Sequence, residues 1–276
     1  MIDAAIATGE PDTVRTVADI ARRTNPSDAA EIDAIVVEYE AALADVEANE
    51  EARKQSQIRN AGLFERWSGE GEFGAFNSTG NAQNTGLTAA ISLTREGLAW
   101  SHTFRGRADY QETDGVTTRE QFLAGYEPKY QFSDNIYAFA LALYERDRFQ
   151  GFSARYALAG GLGYDAIDTE TATLTVQAGP AYRRTELVDG SESETIAGNA
   201  SLDLDWRIAS AITLTQDASA FVQSGSSSFI SGTGIQVDIA DELALRLSYT
   251  LEHDTDPPLG AIKTDTLSRI TIIYDF

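Results

Sequence analysis

From Trp67 to the carboxyl terminus, apolar and polar positions alternate with a period of two. That is the pattern of strands with one face in an apolar medium and the other in a polar one. Leu243, Leu245, Leu247, Tyr249 and Leu251 fall on one side, and Ala244, Arg246, Ser248 and Thr250 on the other. Ile270, Ile272, Tyr274 and Phe276 likewise oppose Arg269, Thr271 and Asp275. Over residues 135–146 the apolar face is Tyr137, Phe139, Leu141 and Leu143, opposite Ala138, Ala140, Ala142 and Tyr144. Twelve such segments are predicted, centred near residues 71, 90, 103, 125, 140, 158, 177, 201, 217, 235, 247 and 270. Short connections at 95–97, 133–135, 166–169, 208–210 and 240–242 alternate with longer polar ones at 77–84, 111–117, 147–151, 186–194, 224–228 and 254–264.

Short turns on one side, longer loops on the other and an even strand number predict a transmembrane antiparallel up-and-down β-barrel of about twelve strands. Both barrel ends then lie on the short-turn side. A soluble sandwich shares the alternation, but strands of about ten residues exceed its usual five or six. Aromatics such as Tyr126, Tyr130 and Phe132, or Tyr156 and Tyr164, stand near the ends of the apolar faces, as interfacial girdles do. The polar faces carry small and charged residues with only two lysines, Lys129 and Lys263.

Residues 1–62 follow a different rule and are predicted to be an α-helical extension, apart from a barrel over 63–276. Val14, Val17, Ala18 and Ala21 line one face of a helix that begins at Pro11 and ends at Asn25-Pro26. A second helix starts near Pro26 with an apolar stripe of Ile32, Ile35, Val36, Tyr39, Leu43 and Val46, and fades into the charged run 50–59. The pair suits a periplasmic docking or oligomerisation element, or a simple tether.

Composition narrows the classes. The chain has 276 residues, a net charge of −22 and no cysteine, so disulfides, zinc–thiolate sites and thiol catalysis are excluded. An acidic chain with a pI near 4.3 lacks the basic face that nucleic acid requires, so no nucleic-acid partner is expected. No run of about 18 apolar residues could form a transmembrane helix, yet a mean hydropathy of −0.26 is compatible with spanning strands. The segment after Met1 shows neither a basic nor an apolar leader region. Given the strand pattern, the chain is expected to be a mature exported protein of the bacterial outer membrane, its signal peptide already removed.

Several segments resemble a known family: Trp67-Ser68-Gly69-Glu70-Gly71-Glu72, Asn77-Ser78-Thr79-Gly80-Asn81, Tyr144-Glu145-Arg146-Asp147-Arg148-Phe149, Ala178-Gly179-Pro180-Ala181-Tyr182-Arg183-Arg184 and Lys263-Thr264-Asp265-Thr266-Leu267. They are similar to the salt-stress-induced outer-membrane proteins of Gram-negative bacteria, a domain family of unknown function. The resemblance covers residues 63–276. It implies an exported β-barrel associated with salt stress, and it carries over no catalytic residue. Ile270, Ile272, Tyr274 and Phe276 also resemble the insertion signal of outer-membrane proteins, which implies the barrel-assembly machinery as a partner. Outer-membrane lipid and lipopolysaccharide are the other expected partners, with a homo-oligomer open.

Charges on the polar faces would each cost a few kcal/mol if turned to lipid near the midplane, so they are assigned to the lumen. These are Glu70, Glu72, Arg105, Arg107, Asp109, Glu127, Lys129, Arg155, Asp165, Arg183, Asp203, Asp205, Arg207, Asp217, Asp238, Arg246, Glu252 and Arg269. They would line a narrow hydrated pathway or form a network that fills it. Twelve strands lie between the filled eight-stranded barrels and the open channels of 16 to 18. Gly160, Gly161, Gly163, Gly232 and Gly234 sit within strands with no following helix, which argues for bends or close approaches and against phosphate binding. Ser101 and His102 lie on opposite faces and cannot share a proton. His253 near Asp254 and Asp256 is a weak metal or acid–base candidate, and the acidic loop 189–194 a weak cation candidate. No enzyme, metal or cofactor is expected. The competing functions are a narrow channel or envelope-stress component, a structural lattice-forming protein, and, least favoured, a barrel enzyme.

Overall fold

The computed structural model describes residues 1–62, 64–79, 84–113, 116–225, 227–257 and 263–276. The chain divides into two compact units, Met1–Leu63 and Phe64–Phe276.

The first unit holds α1 (Ile2–Ile6), α2 (Pro11–Thr24) and α3 (Ala29–Asn60), with a 3-10 turn at Pro26–Asp28. Pro11 opens α2 where a missing N–H costs nothing, and Asn25, held extended before Pro26, closes it. Ile2, Ala18, Ala21, Ile32 and Val36 form one buried cluster, with Ile6, Val17 and Ile35 packed on it. Two features depart from expectation. The five residues of α1 are too few for a periodic signal, and α3 continues through the charged run to Asn60. Residues 47–60 are mostly Glu, Ala, Arg, Lys and Gln, good helix formers that need no buried face. Val46 is accordingly 54% exposed.

In the second unit the strands are β1 (Trp67–Thr79), β2 (Asn84–Glu96), β3 (Trp100–Thr113), β4 (Val116–Ser133), β5 (Ile136–Asp147), β6 (Phe152–Asp168), β7 (Ala172–Leu187), β8 (Glu192–Ala209), β9 (Ile212–Val222), β10 (Ser228–Ala240), β11 (Leu243–Asp254) and β12 (Thr264–Asp275). Each predicted centre falls in the strand of the same rank. Every strand pairs antiparallel with its neighbours in sequence, and β1 pairs with β12 to close the cylinder. The last residue takes part in closure: Gly69 and Phe276 exchange both backbone hydrogen bonds at 2.9 Å.

At one end the connections are two or three residues long: 97–99, 134–135, 169–171, 210–211 and 241–242. At the other end the strands run further than their apolar faces do, so β7 reaches Leu187 and β8 resumes at Glu192. Strands of 11 to 18 residues exceed the roughly 9–11 needed to cross the hydrocarbon. Ladder hydrogen bonds continue the hairpins beyond the lipid without a patterned face. Of the expected long loops, residues 80–83, 114–115, 226 and 258–262 lie outside the described residues.

The outer surface is that of a membrane-spanning barrel. Leu158, Leu162, Leu247, Ile270 and Ile272 are all more than half exposed around its middle. Trp100, Tyr130, Phe132, Tyr164, Trp206, Tyr274 and Phe276 stand outward near the short-turn end, and Tyr110, Phe122, Tyr156 and Tyr182 near the other. Two aromatic belts of this kind mark the lipid–water interfaces.

One strand face is the reverse of that expected. In β5 the bulky row points inward: Tyr137 and Phe139 are 2% and 4% exposed, and Leu141 and Leu143 line the lumen. Ala138, Ala140, Ala142 and Tyr144 take the outer face. The neighbouring β6 compensates, with small Ala157, Ala159, Gly161 and Gly163 inward and Tyr156, Leu158, Leu162 and Tyr164 outward. Tyr137 lies over Gly163, and a Cβ there would collide with its ring. The inverted phase was marked by Glu145, which shares the bulky row and belongs in the polar lumen.

Candidate functional site in the barrel lumen

The inner faces enclose a cavity of about 560 Å³. Strand alternation places its polar lining, since each inward residue is followed by one that faces lipid. Of the eighteen charged residues assigned to the lumen, Glu70, Glu72, Arg105, Arg107, Glu127, Arg155, Arg183, Asp203, Asp217, Arg246, Glu252 and Arg269 line this cavity. Asp109 and Lys129 lie in the wall beside it, each paired with a lining residue. Asp165 accepts a hydrogen bond from Gln131 Nε2 at 3.3 Å near the short-turn end. Asp205, Arg207 and Asp238 are exposed near that end and lie outside the cavity lining.

The charges fall into groups, most of whose partners come from distant parts of the chain. Arg269 Nη2 lies 3.0 Å from Asp109 Oδ2, with the two side chains only 5% and 0% exposed. Nη1 of the same arginine donates to Thr250 Oγ1 at 3.3 Å. Glu72 lies 3.4 Å from Arg107 and 3.9 Å from Arg246, and accepts a 2.6 Å hydrogen bond from the Thr271 hydroxyl. Arg246 also faces Glu70 at 3.5 Å and donates to Gln236 Oε1 at 2.9 Å. Lys129 pairs with Glu127 at 3.2 Å and rests 4.9 Å from the Tyr137 ring centre. The Arg269–Asp109, Glu72–Arg107, Glu72–Arg246 and Glu70–Arg246 pairs join non-adjacent strands through the interior and brace the cylinder.

Other lumen charges are left without ion pairs. Asp203 and Asp217 are direct cross-strand neighbours on β8 and β9, an arrangement that is unfavourable in a sheet. Neither makes an ion pair among the described residues, and neither does Arg105 on β3, whose field reaches both. Such charges are tolerable only where water or a counter-charge reaches them.

Glu145, Asp254, Lys263 and Asp265 also line the cavity and were not anticipated. Glu145 was hidden by the inverted face of β5. The other three sit where the polar run 254–265 gives no alternation from which to read a face.

The remaining candidates have local partners, and His253 also borders the cavity. His102 faces outward, its Nδ1 2.9 Å from Tyr126 Oη, stacked between Trp100 and Tyr126 in the short-turn belt. His253 Nδ1 contacts Thr264 Oγ1 at 2.8 Å. In the acidic loop, the Ser191 hydroxyl and backbone N–H both donate to Asp189 and hold its carboxyl below the usual range. Arg184 gathers Glu192, Glu186 and Glu194 at 2.9, 3.7 and 3.9 Å, so these acids already have a cation. Among the described residues no three His, Asp or Glu side chains converge as metal ligands. Gly160, Gly161 and Gly163 lie within β6, and Gly232 and Gly234 within β10.

Comparison with known proteins agrees with this geometry. YdiY of Escherichia coli (strain K12), described as an uncharacterized protein, is 23% identical over 202 residues, or 73% of this chain and 80% of that protein. The NanC porin superposes with a TM-score of 0.51 at 10% identity, covering 76% of this chain and all of the porin, which is a likeness of fold. A KdgM porin in complex with disordered oligogalacturonate gives 0.44 at 8% identity over 76% of this chain and 99% of its own. Residues 71–276 match a family described only as a protein of unknown function, which names neither an activity nor a link to salt. With a closed twelve-stranded barrel matched over nearly its whole length, the chain belongs to that family, DUF481.

Proposed function

We propose that the protein is a narrow channel of the bacterial outer membrane, passing small hydrophilic solutes through a charged lumen. The observation that carries this reading is the group Arg105, Asp203 and Asp217. All three line a cavity of about 560 Å³, and none of them forms an ion pair among the described residues. Unpaired charges inside a barrel are tolerable only where water reaches them. The short-turn end then faces the periplasm, the compartment to which we assign the helical segment. Barrel-assembly machinery inserts it through the terminal row Ile270, Ile272, Tyr274 and Phe276, and lipid and lipopolysaccharide surround it.

The cross-lumen pairs support a second reading, a closed structural barrel of the envelope that acts through its surface or as a homo-oligomer. Arg269–Asp109 and the Glu72 cluster occupy space that a solute would need. Conductance of the full-length refolded protein in planar bilayers decides between them. Discrete ohmic steps, altered in ion preference by Arg105→Gln, are expected of a channel. Incorporated barrels without conductance would rule it out and leave the structural reading.

A further inference from the structure

Near the long-loop end of the lumen, two arginines project from adjacent strands onto the same inner face. Arg155 of β6 is opposite Thr185, and Arg183 of β7 is two residues from that position, which makes the arginines diagonal neighbours. Each guanidinium lies on an aromatic ring: Arg155 is 3.9 Å from the Phe152 centroid, and Arg183 is 4.1 Å from that of Phe221. Small Ala157, Ala181 and Ala197 beneath them leave room for this arrangement. Arg155 has Glu145 at 3.8 Å, and the charges of Glu145 and Asp254 act on Arg183, which among the described residues makes no ion pair and donates one side-chain hydrogen bond, Nη1 to Ser228 Oγ at 3.0 Å. Arg183 is only 7% exposed, yet it lines the cavity, and its Nε, like that of Arg155, has no hydrogen-bond partner among the described residues. The nearby Glu252 is occupied by Gln150, which donates to it at 2.7 Å.

We infer that Arg155 and Arg183 form a subsite for a small oxyanion, a phosphate or carboxylate group, in the loop-side half of the lumen. This rests on the lumen being reachable by solutes. A guanidinium presents several N–H donors in a rigid plane that matches two oxygens of such a group. Phenyl rings position the planes without spending those donors. The anion would accept from the guanidinium Nη–H groups of the two arginines on the cavity side and add to the balance of two like charges placed side by side.

Inorganic phosphate titrated into the full-length barrel, refolded in uncharged detergent at constant ionic strength and followed by ³¹P NMR, tests the subsite. Saturable binding is expected, weakened at least about tenfold by Arg183→Met and by Arg155→Met. Arg184→Met, on the outer face, should leave it unchanged. If Arg183→Met fails to give the β-sheet spectrum, Arg183→Lys and Arg155→Met carry the decision, because the lysine keeps the charge but loses the planar fork. No binding to the wild type, or equal binding to all variants, would overturn the subsite. Conductance without phosphate binding removes the subsite and leaves the channel, and binding without conductance does the reverse.

Discussion

At the scale of single residues, the lumen depends on charges that are safe only in company. Arg269 and Asp109 are almost fully enclosed, at 5% and 0% exposure, and each owes its stability to the other at 3.0 Å. Removing one partner leaves an uncompensated buried charge, so Arg269→Ala should destabilise the barrel by about 3–5 kcal/mol. Urea unfolding from lipid vesicles would measure this, and the double variant Arg269→Met/Asp109→Leu should recover most of the loss. Asp189 behaves differently, since it sits in a solvated loop. Ser191 lowers its folded value below the ordinary 3.8, so the ionised carboxylate is the form that the loop prefers. Its contribution is complete above the ordinary value and fades as pH falls through the lowered one. The protection of the Ser191 amide, its exchange rate referred to the intrinsic rate at each pH, should therefore hold steady above about pH 4 and be lost on further acidification.

At the scale of elements, β5 and β6 form a complementary pair whose bulky and small rows are interchanged. Tyr137 fills the space over Gly163, so Gly163→Val should push the ring out of place and cost about 1–3 kcal/mol through overpacking. Thermal unfolding followed by tryptophan and tyrosine emission would report it. The same pair shows what the sequence does and does not convey. Alternation sustained over some 210 residues makes the existence and order of all twelve strands legible. Which face of β5 meets lipid is another matter, because large apolar side chains also suit a lumen whose opposite wall is glycine and alanine. Period two groups Arg246 with Ser248 and Thr250, but it is silent on partners across the lumen. Arg269 and Asp109 are 160 residues apart, and no local pattern joins them. The helix α1 escaped notice because five residues complete little more than one turn.

At the scale of the whole molecule, charge and hydrophobicity are sorted between two surfaces. A chain of net charge −22 keeps its mid-belt exterior apolar, with Leu158, Leu162, Leu247, Ile270 and Ile272 outward. Arg105, Arg107, Asp203, Asp217, Arg246 and Glu252 are turned to the cavity instead. Leu247→Arg, near the middle of that belt, should cost about 2–4 kcal/mol in lipid, and Ser248→Arg, one residue on and facing inward, much less. Equilibrium unfolding from vesicles would compare the two. The most direct test of this sorting uses the absence of native cysteine, which allows one nitroxide label at a time at positions 244 to 251 of β11. In vesicles, a membrane-embedded cylinder requires oxygen collision to peak at 245, 247, 249 and 251, and collision with a water-soluble nickel chelate to peak at 246, 248 and 250. Equal accessibility at all positions, or uniform protection of the leucine row from both reagents, would contradict it.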